Sequence, residues 1–206
     1  MKRKGKKIKV LKIKKNQLYF LLFILLIIGA VFAGRGYRAY KLSKLREANT
    51  IYYNNFKFVR SDGMWVTDVK FRNNVYQIPF RFFPAEVENV TEIGELKIFP
   101  LDTGYITFNP DDPELKYVAL AAAELSINLA NVLGSEFYSA CTKEWQDVCP
   151  PKPVVTCNST NSSVFYIKVA NSTAIEFKDN CIILQGKGFG LVKAVDKVLY
   201  MLYGII

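Results

Sequence analysis

The stretch from Leu18 to Gly34, LYFLLFILLIIGAVFAG, runs for 17 residues without a charge, and it restricts the architecture more than any other part of the chain. A helix of that length reaches the lower limit for crossing the hydrocarbon core of a bilayer. Its flanks set a direction. The leader MKRKGKKIKVLKIKKNQ carries nine Lys or Arg and no acid, whereas residues 35–50 carry five basic residues and one acid. Positive charge is retained on the cytoplasmic side, so this asymmetry predicts a basic cytoplasmic tail (1–17), a transmembrane helix (18–34), a helical stalk (35–50) and one extracytoplasmic domain (51–206). The expected location is the cell membrane, single-pass, with the N-terminus cytoplasmic and the C-terminal domain extracellular.

A second reading of the same stretch stays open. Val31 and Ala33 before Gly34 also satisfy a small-residue cleavage site. The apolar run is longer than the usual signal core, and RGYRAYKLSKLREA continues it as an amphipathic helix. Both features favour an uncleaved signal-anchor. A prepilin-type junction would place a Gly directly before the run, where this chain has Lys15, Asn16 and Gln17.

The net charge of +10 belongs to the N-terminal end. Residues 51–206 hold 14 basic against 17 acidic residues, a net charge of −3. The nearest anions to the basic leader are lipid headgroups, each Lys or Arg contributing about 1 kcal/mol near such a surface, and nucleic acid is excluded as the expected partner. Cys141, Cys149, Cys157 and Cys181 all follow the span, which predicts two disulfides in an oxidising compartment. Of the three connectivities, 141 with 149 and 157 with 181 is favoured. The chain has neither a C-x-x-C pair nor any His, which argues against zinc. Sequons at Asn89, Asn158, Asn161 and Asn171 fall in expected loops or turns and predict a glycoprotein.

Within the outer domain, Ile51–Arg60 reads as a first strand. The segment MWVTDVKFRNNVYQIPFRF alternates on both sides of Asn73-Asn74. A two-residue turn there pairs Phe71 with Tyr76, Val69 with Ile78, Thr67 with Phe80 and Trp65 with Phe82 on one face. A short strand is expected near Leu96–Phe99 and another at Tyr105–Phe108. A helix follows, with Asp112 as cap, Pro113 in its first turn and Gly134 as stop. Its apolar seam is Leu115, Val118, Ala122, Leu125, Leu129 and Val132. Three more strands are expected at Val164–Val169, Ala174–Phe177 and Cys181–Gln185, the last apolar on both faces and so internal to its sheet. Leu191–Tyr203 reads as a final amphipathic helix ended by Gly204. The fold class is α/β (α+β), one two-layer domain with a mixed sheet and two helices on one face.

Two units repeat a plan of strand, polar or glycine turn and Ala-containing helix: YITFNPDDPELKYVALAAAELSINL and NCIILQGKGFGLVKAVDKVLYMLYGI. Through Ile182, Leu184, Gly186, Gly190 and Ala194 the second resembles the small non-catalytic α/β domain that precedes some glycoside hydrolase barrels. That resemblance covers about 90 residues and carries no catalytic residue with it. More broadly, the Lys-rich tail, the single span, the cysteine segments ACT-x5-VC and VTC, and the closing NCIILQG and VDKVLYMLYGI resemble uncharacterised archaeal single-span surface proteins. This likeness implies an extracytoplasmic, glycosylated, disulfide-containing domain and no particular activity.

Catalysis is not expected. The absence of His removes every His-dependent triad, and Asp102, Asp111 and Asp112 are the only acids grouped near a strand end. Asn109, Asp111 and Asp112 offer hard oxygens suited to Ca²⁺, but turn formation and capping explain them better and no metal is assigned. Glu86, Glu88, Glu92 and Glu95 read as a solvated face. Gly186 to Gly190 lie where an anion can meet a helix N-terminus, and a tight turn explains them better, so no cofactor is assigned. Tyr52, Tyr53, Phe82, Phe83 and Trp145 could stack on sugar rings, although core packing accounts for most of them. The reading is a membrane-anchored extracytoplasmic binding or structural module of the cell envelope, whose partners are lipid headgroups and an unidentified envelope protein or glycan. The alternatives are a carbohydrate-binding or carbohydrate-active accessory domain, and an anchored subunit of a secretion or pilus-like assembly.

Overall fold

The computed structural model describes residues 15–97, 99–144 and 152–206. They fall into two compact units, divided between Ala48 and Asn49. In the first, Lys15–Ala48 form one continuous helix, α1, of 34 residues. Large apolar side chains on it are exposed, among them Leu26 at 72% and Phe32 at 68%. Among the described residues, no helix is long and apolar enough to cross a membrane. Most side chains of Leu18–Phe23, the first part of the expected span, lie outside that description.

The second unit is mixed α and β. Its first half is a four-stranded antiparallel meander, β1 (Thr50–Tyr53), β2 (Phe56–Ser61), β3 (Met64–Phe71) and β4 (Asn74–Phe80), in that spatial order. The single strand expected over Ile51–Arg60 is thus a hairpin. Asn54 and Asn55 both take positive φ, as do Asp62 and Gly63, the pattern that two-residue primed turns require. The next turn lies at Arg72-Asn73, one position before the one expected, so the register is Phe71↔Asn74, Val69↔Tyr76, Thr67↔Ile78 and Trp65↔Phe80. This moves each partner by two residues. A two-residue shift leaves every side chain on the same face, so the alternation of the sequence suits both registers equally and turn geometry decides. Arg72 takes the positive φ and stacks 5.3 Å from the Phe71 ring centroid. Pro79, which has no N–H to donate, sits on β4 at the sheet's edge.

A short helix, α2 (Pro84–Val87), then leads into β5 (Thr91–Ile93). No strand forms over the described residues near Leu96–Phe99. The remaining elements are β6 (Thr103–Phe108), α3 (Leu115–Asn128), β7 (Glu136–Cys141), β8 (Ser163–Val169), β9 (Ala174–Lys178), β10 (Cys181–Gly186) and α4 (Phe189–Leu202). The six strands form a second sheet in the order β5-β9-β10-β8-β6-β7, parallel from β10 to β7 and antiparallel between β9 and β10. The expected interior position of Cys181–Gln185 holds, with Cys181 to Leu184 all buried. β7 was not expected as a strand.

α3 begins later than Asp112 and Pro113 suggest. Its N-cap is Glu114, because the Asp112 carboxylate is taken up by the Val169 backbone at the end of β8. At its other end α3 widens into a π turn over Leu129–Leu133, closed by Gly134 at φ 71°. The extra residue in that turn re-phases the seam so that Leu129, Val132 and Leu133 are all buried.

Among the described residues there are two sheets and three layers, where a single sheet and two layers were expected. Ile182 and Leu184 of β10 enter the main core beside Leu125 of α3 and Val195 and Val198 of α4. From the opposite side, Phe58 and Phe80 of the meander meet Tyr200 of α4, with ring centroids 6.0 and 4.2 Å away. α4 is therefore covered on both sides, with Leu191 and Val192 buried and then every residue from Ala194 to Tyr200. Gly186 permits the close approach of helix and strand, because a Cβ there would lie 2.5 Å from the Gly190 carbonyl carbon.

Candidate functional site

The described cysteines and the sequons are divided between the two ends of the six-stranded sheet, with Cys181, Asn158 and Asn161 at the start of β10 and β8, and Cys141, Asn171 and Asn89 towards the opposite end. Cys157 and Cys181 form a disulfide that ties the segment after the undescribed residues to the start of β10. Cys141 is also disulfide-bonded. Cys149, the partner expected for it, lies outside the described residues, as does Trp145. Beside the 157–181 bridge is an open cleft of about 550 Å³, walled by Gly94, Glu95, Lys97, Phe177 and Asn180 and including the sequon residue Asn158. Asn89, Asn158, Asn161 and Asn171 are all exposed. The sequon hydroxyls differ. Ser163, which completes the Asn161 sequon, is buried and donates to the Pro100 carbonyl at 2.6 Å.

Each acid weighed in the sequence has a local partner or faces solvent. Asp111 accepts from the Lys143 ammonium at 3.1 Å, and its N–H donates to Asn109 Oδ1. Glu86 Oε2 accepts the Phe83 N–H at 2.7 Å, Glu88 accepts the Tyr53 hydroxyl, and Glu92 pairs with buried Lys197 at 2.6 Å. Glu95 borders the cleft. Asp102 is exposed, and its carbonyl accepts the Glu136 N–H. Among the described residues no three His, Cys, Asp or Glu gather as a metal site. The glycine turn before α4 does receive an anion, and the anion is the chain's own: Glu114 Oε2 accepts the Gly188 N–H at 2.5 Å.

A second constellation forms where β4 ends. Phe82, half-buried, is fixed through its backbone on both sides by α4. Its N–H and that of Arg81 donate to Asp196 Oδ2 at 2.9 and 3.1 Å, and its carbonyl accepts the Tyr200 hydroxyl at 2.6 Å. Asp196 is only 2% exposed. Burial pushes its carboxyl up to about 8, with a further push from the Glu124 charge and against the pull of the two N–H donors and the Arg81 guanidinium. Glu124 is itself raised by burial and ion-paired with Arg81. Burial likewise raises the Tyr200 hydroxyl far above its ordinary value, so it stays a donor.

The Phe82 ring so positioned lies 6.3 Å from the ring of Phe189, and Phe189 lies 5.2 Å from Tyr117, both edge to face. Phe189 opens α4 and is 49% exposed. Lys193 stands over the Phe82 ring at 5.0 Å and Lys116 over the Tyr117 ring at 4.8 Å. An exposed ring is thus flanked by two others, each carrying an ammonium on its face. Of the other described candidates, Tyr53 and Phe83 serve packing. Phe83 is enclosed by Tyr53, Phe58 and Trp65, and Tyr52 is a lone exposed ring on edge strand β1. Phe82 was legible in the sequence as a stacking candidate. Tyr117 and Phe189 were not, since only the three-layer packing brings positions 82, 117 and 189 together.

No family model matches this chain, and no curated protein and no solved structure does so either.

Proposed function

We propose that the chain is a single-span, membrane-anchored module of the cell envelope, N-terminus inside, whose 49–206 unit works outside the cytoplasm as a binding or structural element and not as an enzyme. The observation that carries this reading is the exposed apolar surface of α1 from Ile24 to Phe32, placed directly after the lysine-rich leader. Such a surface in water is strongly unfavourable, and a bilayer supplies its cover. The leader then rests on anionic headgroups. The Cys157–Cys181 bridge and the exposed sequon asparagines support the oxidising, glycosylating side for the larger unit. This agrees with the resemblance to archaeal single-span surface proteins.

The experiment is a two-sided probe of native cells. Protease added outside should cut the 49–206 unit and spare the leader, and Cys157 and Cys181 should resist alkylation until reductant is added. A domain protected until the cells are opened, or thiols that alkylate without reduction, overturns the placement.

A second reading, a carbohydrate-binding accessory domain, is favoured by the fixed aromatic group Phe82, Tyr117 and Phe189. Exposed rings held in place by packing suit the apolar faces of sugars, because little ordering remains to oppose binding.

A further inference from the structure

We infer that the Phe189 ring, with Lys116 and Lys193 on either side, is a binding platform for an acidic polysaccharide, a chain of carboxylated sugars. This rests on the carbohydrate-binding reading and narrows its ligand class. Phe189 offers an exposed flat ring, which suits the apolar face of a pyranose, whereas a protruding peptide side chain needs a recess. The charge is supplied by the neighbours. Lys116 and Lys193 sit on the faces of Tyr117 and Phe82, the two rings that flank Phe189, so both ammoniums are held beside the stacking surface. Around the rings Lys116, Lys193 and Arg81 set three positive charges against two negative ones, Glu124 in its pair with Arg81 and Glu114 on the Gly188 N–H. A positive, aromatic surface therefore remains on a unit whose net charge from residue 51 onward is −3. A neutral sugar would use the ring and leave both cations idle. A carboxylated one uses all three groups.

The site is supported from beneath. Asp196 and Tyr200 hold the backbone of Phe82 at its N–H and its carbonyl, so the residue whose ring lies beneath Lys193 is anchored before any ligand arrives. They are positioning residues and reach no ligand themselves.

The test must see past the basic leader, which will attract any polyanion, and so it reads individual lysines. The full chain in neutral detergent is acetylated with a limiting reagent, and modification of each lysine is followed by mass spectrometry with and without oligogalacturonate. We expect Lys116 and Lys193 to be slowed about tenfold, while Lys57 and Lys70, exposed on the meander, keep their rates. Phe189→Ala should abolish the protection with unchanged circular dichroism. Should that variant fail to fold, Lys193→Gln must relieve the protection of Lys116 instead. No protection by oligogalacturonate overturns the proposal, and the carbohydrate reading falls with it only if a neutral maltooligosaccharide gives none either. Equal protection by a neutral maltooligosaccharide overturns the acidic class and leaves a sugar site. Equal protection by oligoglutamate, or protection only by phosphatidylglycerol vesicles, overturns it in favour of a peptide or a lipid surface.

Discussion

Replacing Asp196 by Asn separates the charge of this side chain from its hydrogen bonds. Asn keeps an oxygen that can accept the Arg81 and Phe82 N–H groups, and it cannot ionise. In the native protein the carboxyl is raised from 3.8 in the open chain to about 8 in the fold. A folded-state value above the unfolded one means the native protein holds its proton more tightly. That contribution to stability is fully present below about 3.8 and is lost as pH rises through about 8. Arg81, Glu124 and Tyr200 are the other titratable groups around it, and all three remain in the variant, so their effects largely cancel in the comparison. At ~1.4 kcal/mol per pH unit, wild type should lose about 4 kcal/mol relative to Asp196→Asn between about pH 5 and pH 8. With an m-value of ~2 kcal/mol/M this is a relative shift of about 2 M in the urea midpoint. The assay is urea unfolding of both oxidised proteins in neutral detergent across that range, followed by tryptophan fluorescence. If the two midpoints run parallel from about pH 5 to pH 8, the carboxylate is ionised throughout in the fold. The two N–H donors and Arg81 would then outweigh burial, and the reasoning fails.

Three further outcomes can be checked by the same unfolding measurement. Thr67→Val should stabilise the protein by ~1 kcal/mol, because Thr67 is 2% exposed and its hydroxyl has no partner among the described residues, between Phe58 and Ile78; a loss of stability would reveal a hydrogen bond at that oxygen. Gly104→Ala should destabilise by about 3 kcal/mol or more, since its Cβ would lie 2.2 Å from the Ser163 carbonyl oxygen and prise β6 from β8; an unchanged midpoint would mean the strands separate without cost. Cys157→Ser with Cys181→Ser should cost about 3 kcal/mol for opening a loop with a sequence separation of 24, and a midpoint equal to that of the oxidised wild type would mean that this bridge does not stabilise the fold.

The alternation of residues 64–82 identified the buried face of β3 and β4 correctly and left their register undetermined, because faces repeat every two residues. Asn54-Asn55 and Asp62-Gly63 were readable turn pairs, and treating Ile51–Arg60 as one strand passed over the first of them. β10 was plain from CIIL, since a strand buried on both faces has no polar side to show. The third layer was hidden for a specific reason. Asp196, Lys197 and Tyr200 look like the wet side of an amphipathic helix, yet each spends its polar group on backbone near residues 81–90 and is buried. The same cause hid the platform. Lys116, Tyr117 and Phe189 have ordinary sequence surroundings and gain meaning only when α3 and the start of α4 bring them beside Phe82.

The place of α4 in the chain has a consequence for biogenesis. Residues 189–202 follow every strand of both sheets, and until they are made the meander lacks the helix that covers its oily side and the six-stranded sheet has α3 alone. A nascent chain emerging N-terminus first must therefore hold Phe58 and Phe80 without Tyr200 until all ten described strands and α4 have been made. A stop placed directly after Gly186 should then yield an aggregating or degraded product, even with every strand translated.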